Sequence, residues 1–183
     1  RPFASFRQRS CDFKWHADIA PGHELMVSLQ YSEQPRTPRH DALVPGFGQT
    51  APESAVFFFE PQQRRFAHAR WRIDRAYAPF DNAEIHIGRQ IVVDDRRLRD
   101  TGTPNLDRER NRDTTTGASG QFGKASGGEH YLSYGFEFYR DDVYASKTRL
   151  NIDTGAISER APRFPDGSRM DAMAVYIADD WRH

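Results

Sequence analysis

The feature that most constrains this chain is a period-two alternation of apolar and polar residues, repeated along most of its length. Between Glu24 and Ser32, the apolar Leu25, Val27, Leu29 and Tyr31 are interleaved with Glu24, Ser28 and Gln30. Phe66 to Tyr77 sets Ala67, Ala69, Trp71 and Ile73 against His68, Arg70, Arg72 and Asp74. Glu84 to Val93 carries Ile85, Ile87, Ile91 and Val93, and His130 to Arg140 carries Leu132, Tyr134, Phe136 and Phe138. Residues two apart share one face of a strand, so each run predicts a strand with two chemically different faces. Val56-Phe57-Phe58-Phe59 is a continuous apolar run suited to a central strand, Tyr144 to Ile152 and Ala172 to Ala178 add two more, and Asp153-Thr154-Gly155-Ala156 predicts a tight turn.

No segment holds the i, i+3, i+4, i+7 pattern long enough for a stable helix. With 13 Gly and 11 Pro punctuating the chain, the expectation is an all-β domain over 1–183, closed as a jelly roll or β-sandwich-like barrel. Its predicted core, between two sheets, is Val56, Phe58, Trp71, Ile85, Ile87, Phe136, Phe138, Val175 and Ile177. Residues 98–129 are almost devoid of apolar side chains except Leu106 and Phe122, and read as one long inserted loop, mobile or acting as a lid.

Composition removes several classes. Of 183 residues, 26 are Lys or Arg and 26 Asp or Glu, so no global field draws the chain to nucleic acid or to an anionic membrane. A mean hydropathy of −0.82 and the lack of about 18 consecutive apolar residues rule out a spanning helix. The expectation is a soluble, cytoplasmic protein with a small-molecule substrate and no membrane or nucleic-acid partner. The opening Arg1-Pro2-Phe3 lacks an initiator Met, which suggests a trimmed start. The single cysteine, Cys11, excludes an intrachain disulfide framework and reads as a small buried apolar residue.

Among motifs, Gly120 to Ser126 resembles a phosphate loop only superficially, because Ala118 and Ala125 stand where a glycine and a hydroxyl are required. Glu84 and Glu137 lie on polar strand faces, the second between Tyr131 and Tyr139, a pattern open to glycoside chemistry or carbohydrate binding. His16-Ala17-Asp18 places an imidazole and a carboxylate on the same side of a strand, where they could supply two of the three ligands of a mononuclear iron site.

The end of the chain extends that last reading. Arg169-Met170-Asp171-Ala172-Met173-Ala174-Val175-Tyr176-Ile177-Ala178-Asp179-Asp180-Trp181-Arg182 resembles the last core strand of phytanoyl-CoA-dioxygenase-like Fe(II)/2-oxoglutarate oxygenases. Trp15-His16-Ala17-Asp18 resembles their proximal metal motif, and Ala42-Leu43-Val44-Pro45-Gly46 their Pro-Gly turn. The resemblance implies a double-stranded β-helix that oxidises a small organic substrate, with His16 and Asp18 on Fe(II) and Arg169 on the distal carboxylate of 2-oxoglutarate. Its second histidine falls on Ser158, so the remaining ligand is expected from His130, with His68 and His86 as alternatives. The competing expectation is a non-catalytic β-sandwich, a carbohydrate-binding or virion-type module.

Overall fold

A computed structural model describes residues 5–181. The protein is all-β, as the alternation predicts. Its strands are β1 (Arg9–Ala20), β2 (His23–Gln34), β3 (Thr37–Pro38), β4 (Ser54–Ile73), β5 (Asn82–Asp100), β6 (Asn105–Ser126), β7 (His130–Asn151), β8 (Ile157–Arg160) and β9 (Ser168–Trp181). The one helix, α1 (His40–Leu43), is a single turn.

All the strands belong to one antiparallel sheet in the order β1-β2-β4-β5-β6-β7-β8, with β3 on β4 and β9 beside β8 on β7. Apart from β3 and β9, each strand pairs with its predecessor in sequence. Strands β8 and β9 follow one another along the same edge of β7, facing residues 147–150 and 130–143 respectively. The connections at one end of the sheet, 21–22, 74–81 and 127–129, are short. Those at the other end are the long 35–53 and the short 101–104 and 152–156, while 161–167 runs along the edge of β7 from β8 to β9. These are called the turn end and the loop end below. Gly22, Gly127, Gly128 and Gly155 take positive φ in the tight turns, where a side chain would be strained.

Two expectations are corrected here. Residues 98–129 are not an inserted loop: 105–126 form β6, paired without interruption to β7 from Asn105↔Asn151 to Ser126↔His130. Its Thr, Gly, Asn and charged residues have weak strand preference of their own, but neighbours on both edges satisfy its backbone. The predicted core is also not a core, since none of its residues is buried. Ile87, on the central strand β5, is 58% exposed, and Val175 is 78% exposed. No second sheet lies over them among the described residues. The buried apolar residues are Ala42, Leu43, Ile73, Ala83 and Ala145, scattered at the margins, and Cys11 is exposed. The accessible surface is 12375 Å², against about 9,000 Å² for a compact protein of 21.1 kDa.

Candidate functional site

Through the middle of the sheet the register is continuous, with shifts only at Asp18/Ala20 between β1 and β2 and at Ser54/Val56 and Phe59/Gln62 between β4 and β5, and there it sorts the side chains onto two faces. One row across the sheet joins Trp15, Val27, Ala69, Ile87, Ala118, Phe138 and Met173. The next row on that face joins Ala17, Leu25, Trp71, Ile85, Gly120, Phe136 and Val175. These rows contain no charged or hydrogen-bonding group except the Trp indoles. The row between them on the opposite face joins His16, Met26, Arg70, His86, Ser119, Glu137 and Ala174. A one-residue step therefore moves from a surface like a protein interior to one like a hydrated site.

The apolar face is bordered at both ends. Toward the turn end, Tyr77, Phe80, Phe122 and Tyr134 form a continuous chain of rings with centroids 5.3–5.5 Å apart. His23 extends it, touching Trp71 and hydrogen-bonded through Nε2 to the Tyr77 hydroxyl at 3.0 Å. The Tyr134 hydroxyl donates to the Pro79 carbonyl, which pins the 74–81 turn to this face. Toward the loop end the first charged side chains of the face are Arg65 on β4, Arg89 on β5 and Arg140 on β7. On β7 the apolar run from Leu132 to Phe138 sits between His130 and Arg140. That interval is about 33 Å along the strand at 3.3 Å per residue, or about 25 Å in height for a strand tilted by about 40°.

The polar face carries linked side chains. The His16 imidazole lies 3.1 Å from a Glu24 carboxylate oxygen, which also accepts from Arg70 at 2.5 Å. His86 bridges His68 at 3.0 Å and Glu84 at 2.7 Å. If Glu84 accepts the Nε2 proton of His86, His86 Nδ1 is left to accept from His68, so the three order one another's protons. Phe66, His68, His86, Gly88, Gly117 and Tyr139 line a shallow depression of about 420 Å³. Its floor is glycine for a steric reason: a Cβ on Gly117 would lie 2.7 Å from the Tyr139 ring. Tyr131 and Tyr176 lie over Gly123 and Gly135 in the same way, and such aromatic-on-glycine packing lets a sheet coil strongly.

The donor set implied by the dioxygenase resemblance does not fit this fold. His16 and Asp18 share the polar face of β1, as expected, but His16 is engaged by Glu24. His130 lies on the apolar face of β7, five strands away, bonded to Asp179 at 2.7 Å and stacked on Trp181. His86 lies in the row of His16 but three strands away, with Met26 and Arg70 between them. His68 is two strands away and bonded to His86. No group of three metal-ligating side chains occurs among the described residues. Arg169, on the apolar face at the far edge of the sheet, donates to Asp142 at 2.7 Å rather than pointing toward His16. Arg182 lies outside the described residues. Glu84 and Glu137 share the polar face, but two strands and one further row separate their backbones by about 12 Å.

Beyond the apolar band, at the loop end, the polar face is held by buried cross-strand ion pairs. Asp107 accepts from Arg149 at 2.6 and 2.8 Å and contacts Lys147 at 3.2 Å, while Glu109 accepts from Lys147 at 2.8 Å. The Arg149 guanidinium, then Lys147, holds the Asp107 carboxyl below its ordinary range despite burial. Burial pushes Asp95 up.

What sequence reasoning missed is the surface itself, an apolar face that no protein layer covers. Its signal was the sameness of the alternation on successive strands. No protein-family model matches the chain, and no curated protein sequence matches it. No helix of the described residues is long and apolar enough to cross a membrane.

Proposed function

We propose that this sheet is a section of the wall of a membrane-spanning β-barrel, with its apolar face against lipid chains and its polar face toward a hydrated interior for hydrophilic solutes. The observation that carries the reading is the pair of adjacent apolar rows running across every long strand without a covering layer. Contiguous apolar surface on this scale needs an occupant. The band's height, about 25 Å on β7 and about 20 Å where Lys124 and Asp179 stand in the row of Leu132, its aromatic border at the turn end and its charged border at the loop end match an acyl-chain layer with two interfaces. Up-and-down pairing of the long strands fits the same architecture. The open edges, β1 and β9, would need strand partners to close the wall, because unpaired N–H and C=O groups at membrane depth cost several kcal/mol each.

The sequence-based exclusion of a membrane partner rested on helices. A wall strand offers lipid only every second residue, so its mean hydropathy can stay low.

The test is a spin-label scan of the protein in bilayers, with Cys11 replaced by Ser. Labels at Val27, Ile87 and Phe136 are expected to collide with oxygen and not with a water-soluble relaxer. Labels at Ser28, His86 and Glu137 should show the reverse. Fractionation into the aqueous phase, with the first set shielded from both reagents, would sink the proposal.

A further inference from the structure

The loop-end stretch of the apolar face carries an arginine column that the ion pairs of the fold leave unused. Arg108, Arg110 and Arg112 on β6 are exposed, and they alternate with buried Asp107, Glu109 and Asn111 on the other face. Directly opposite them on β7 stand Thr148, Ser146 and Tyr144, exposed and hydroxyl-bearing. On the other side Arg108 is opposed by Arg97, a like-charge cross-strand pair that is destabilising unless an anion joins it. The Arg97 Nε is buried without a hydrogen-bond partner. Glu60, Arg97, Arg108 and Arg110 help line a cavity of about 230 Å³.

The carboxylates nearby offset only part of the column's charge. Asp95 faces Arg110 and Arg108 and also accepts the Asn111 N–H; burial raises its pKa while that hydrogen bond and the two arginines lower it, and it is one carboxylate against three guanidinium groups. Glu60 lies 3.8 Å from Arg97. Asp166 accepts the Ala145 N–H, and Asp142 is held by Arg169. Arg65 and Arg89, at the border of the apolar band, are exposed too. Their neighbours in register are Tyr31, Ile91, Ala67 and Thr116, none of them acidic.

We propose, resting on the membrane-wall reading, that this column binds the anionic headgroup of a lipid whose head is an extended phosphorylated saccharide. Height selects the class. Measured from Arg89, which pairs with Thr116, Arg112 lies about 10 Å and Arg108 about 20 Å higher for a strand tilted by about 40°. A simple phospholipid headgroup layer is only about 5–8 Å thick, so it would reach Arg65 and Arg89 but not Arg108 or Arg110. A head bearing several phosphates along a sugar chain spans the whole column. Guanidinium forks suit the phosphates, and Tyr144, Ser146 and Thr148 suit the sugar hydroxyls.

The experiment uses the protein reconstituted in bilayers, with insertion verified first by protease protection. Failure to insert would count against the wall reading and not against the lipid assignment. Inserted protein is then extracted from vesicles containing phosphorylated-saccharide lipid, simple anionic phospholipid or neutral lipid, and co-purifying lipid is measured by mass spectrometry. Retention of the saccharide lipid at least tenfold above the other two is expected. It should fall about tenfold in Arg108→Gln/Arg110→Gln/Arg112→Gln and stay unchanged in Arg160→Gln, a control on β8. The single variant Arg110→Gln, expected to lose part of the retention, serves if the triple variant does not fold. Equal retention of simple anionic phospholipid, full retention by the variants, or complete displacement by millimolar inorganic phosphate would overturn the assignment.

Discussion

Asp107 illustrates how single residues hold the loop end together. Its carboxylate is buried under two cations, and Arg149 grips it with two parallel hydrogen bonds. Because its folded pKa is depressed, the stabilisation is fully present above the unfolded value of about 3.9 and is lost as pH falls through the folded value. Asp107→Asn should cost about 1–3 kcal/mol at neutral pH and remove part of the loss on acidification. Denaturant titrations of both proteins from pH 7 to pH 2 would measure this, and parallel curves would refute it. Gly117 sets a steric limit of another kind. In Gly117→Val the new side chain must displace the Tyr139 ring, and we expect a cost of about 1–3 kcal/mol, read as a lower midpoint in the same titration.

At the scale of elements, β6 is the instructive case. Leu106 and Phe122 give too little hydrophobic signal to announce a strand of 22 residues, and its pairing comes from β5 and β7. The Asp107–Arg149 and Glu109–Lys147 pairs take the place of apolar cross-strand contacts and fix its register with β7. Amide exchange should therefore be slow through 105–126 and fast at Gly102 and in 127–129. Exchange within seconds across the whole of 98–129 would restore the loop reading. The alternating strands β2, β4, β5 and β7 were legible because each carries its own period-two code. The span from Asp153 to Arg160 was legible only at its turn, since β8 is four residues long and pairs on the edge of β7.

For the whole molecule the question is what covers the apolar face. Ile87 is more than half exposed, so in a protein surrounded by water Ile87→Arg would be nearly neutral. Against acyl chains at mid-band it should cost about 2–4 kcal/mol. Glu137→Arg, on the hydrated face at similar depth, should cost much less. Folding equilibria of the two variants in bilayers decide between these environments, and equal, small effects would end the membrane reading. The same two-sidedness explains why His16 and Asp18 gather no third metal-ligating side chain among the described residues. They face a lattice of His, Glu and Arg side chains spread over several strands, not a closed pocket, and the nearest ordered partner is Glu24.

The sequence by itself determined the alternating strands β2, β4, β5 and β7 and their two faces, because side-chain direction alternates with period two whatever the strand packs against. It also determined the tight turn at Gly155, where the backbone conformation favours glycine. Only the tertiary structure decided that the strands form one sheet, that 105–126 belongs to it, and that His16 and His130 stand on opposite faces five strands apart. The reason is physical. Alternation records that Ile87 and Phe136 avoid water, but a second sheet and a lipid bilayer satisfy that demand equally, and only the arrangement of the strands shows that no second sheet lies over that face among the described residues.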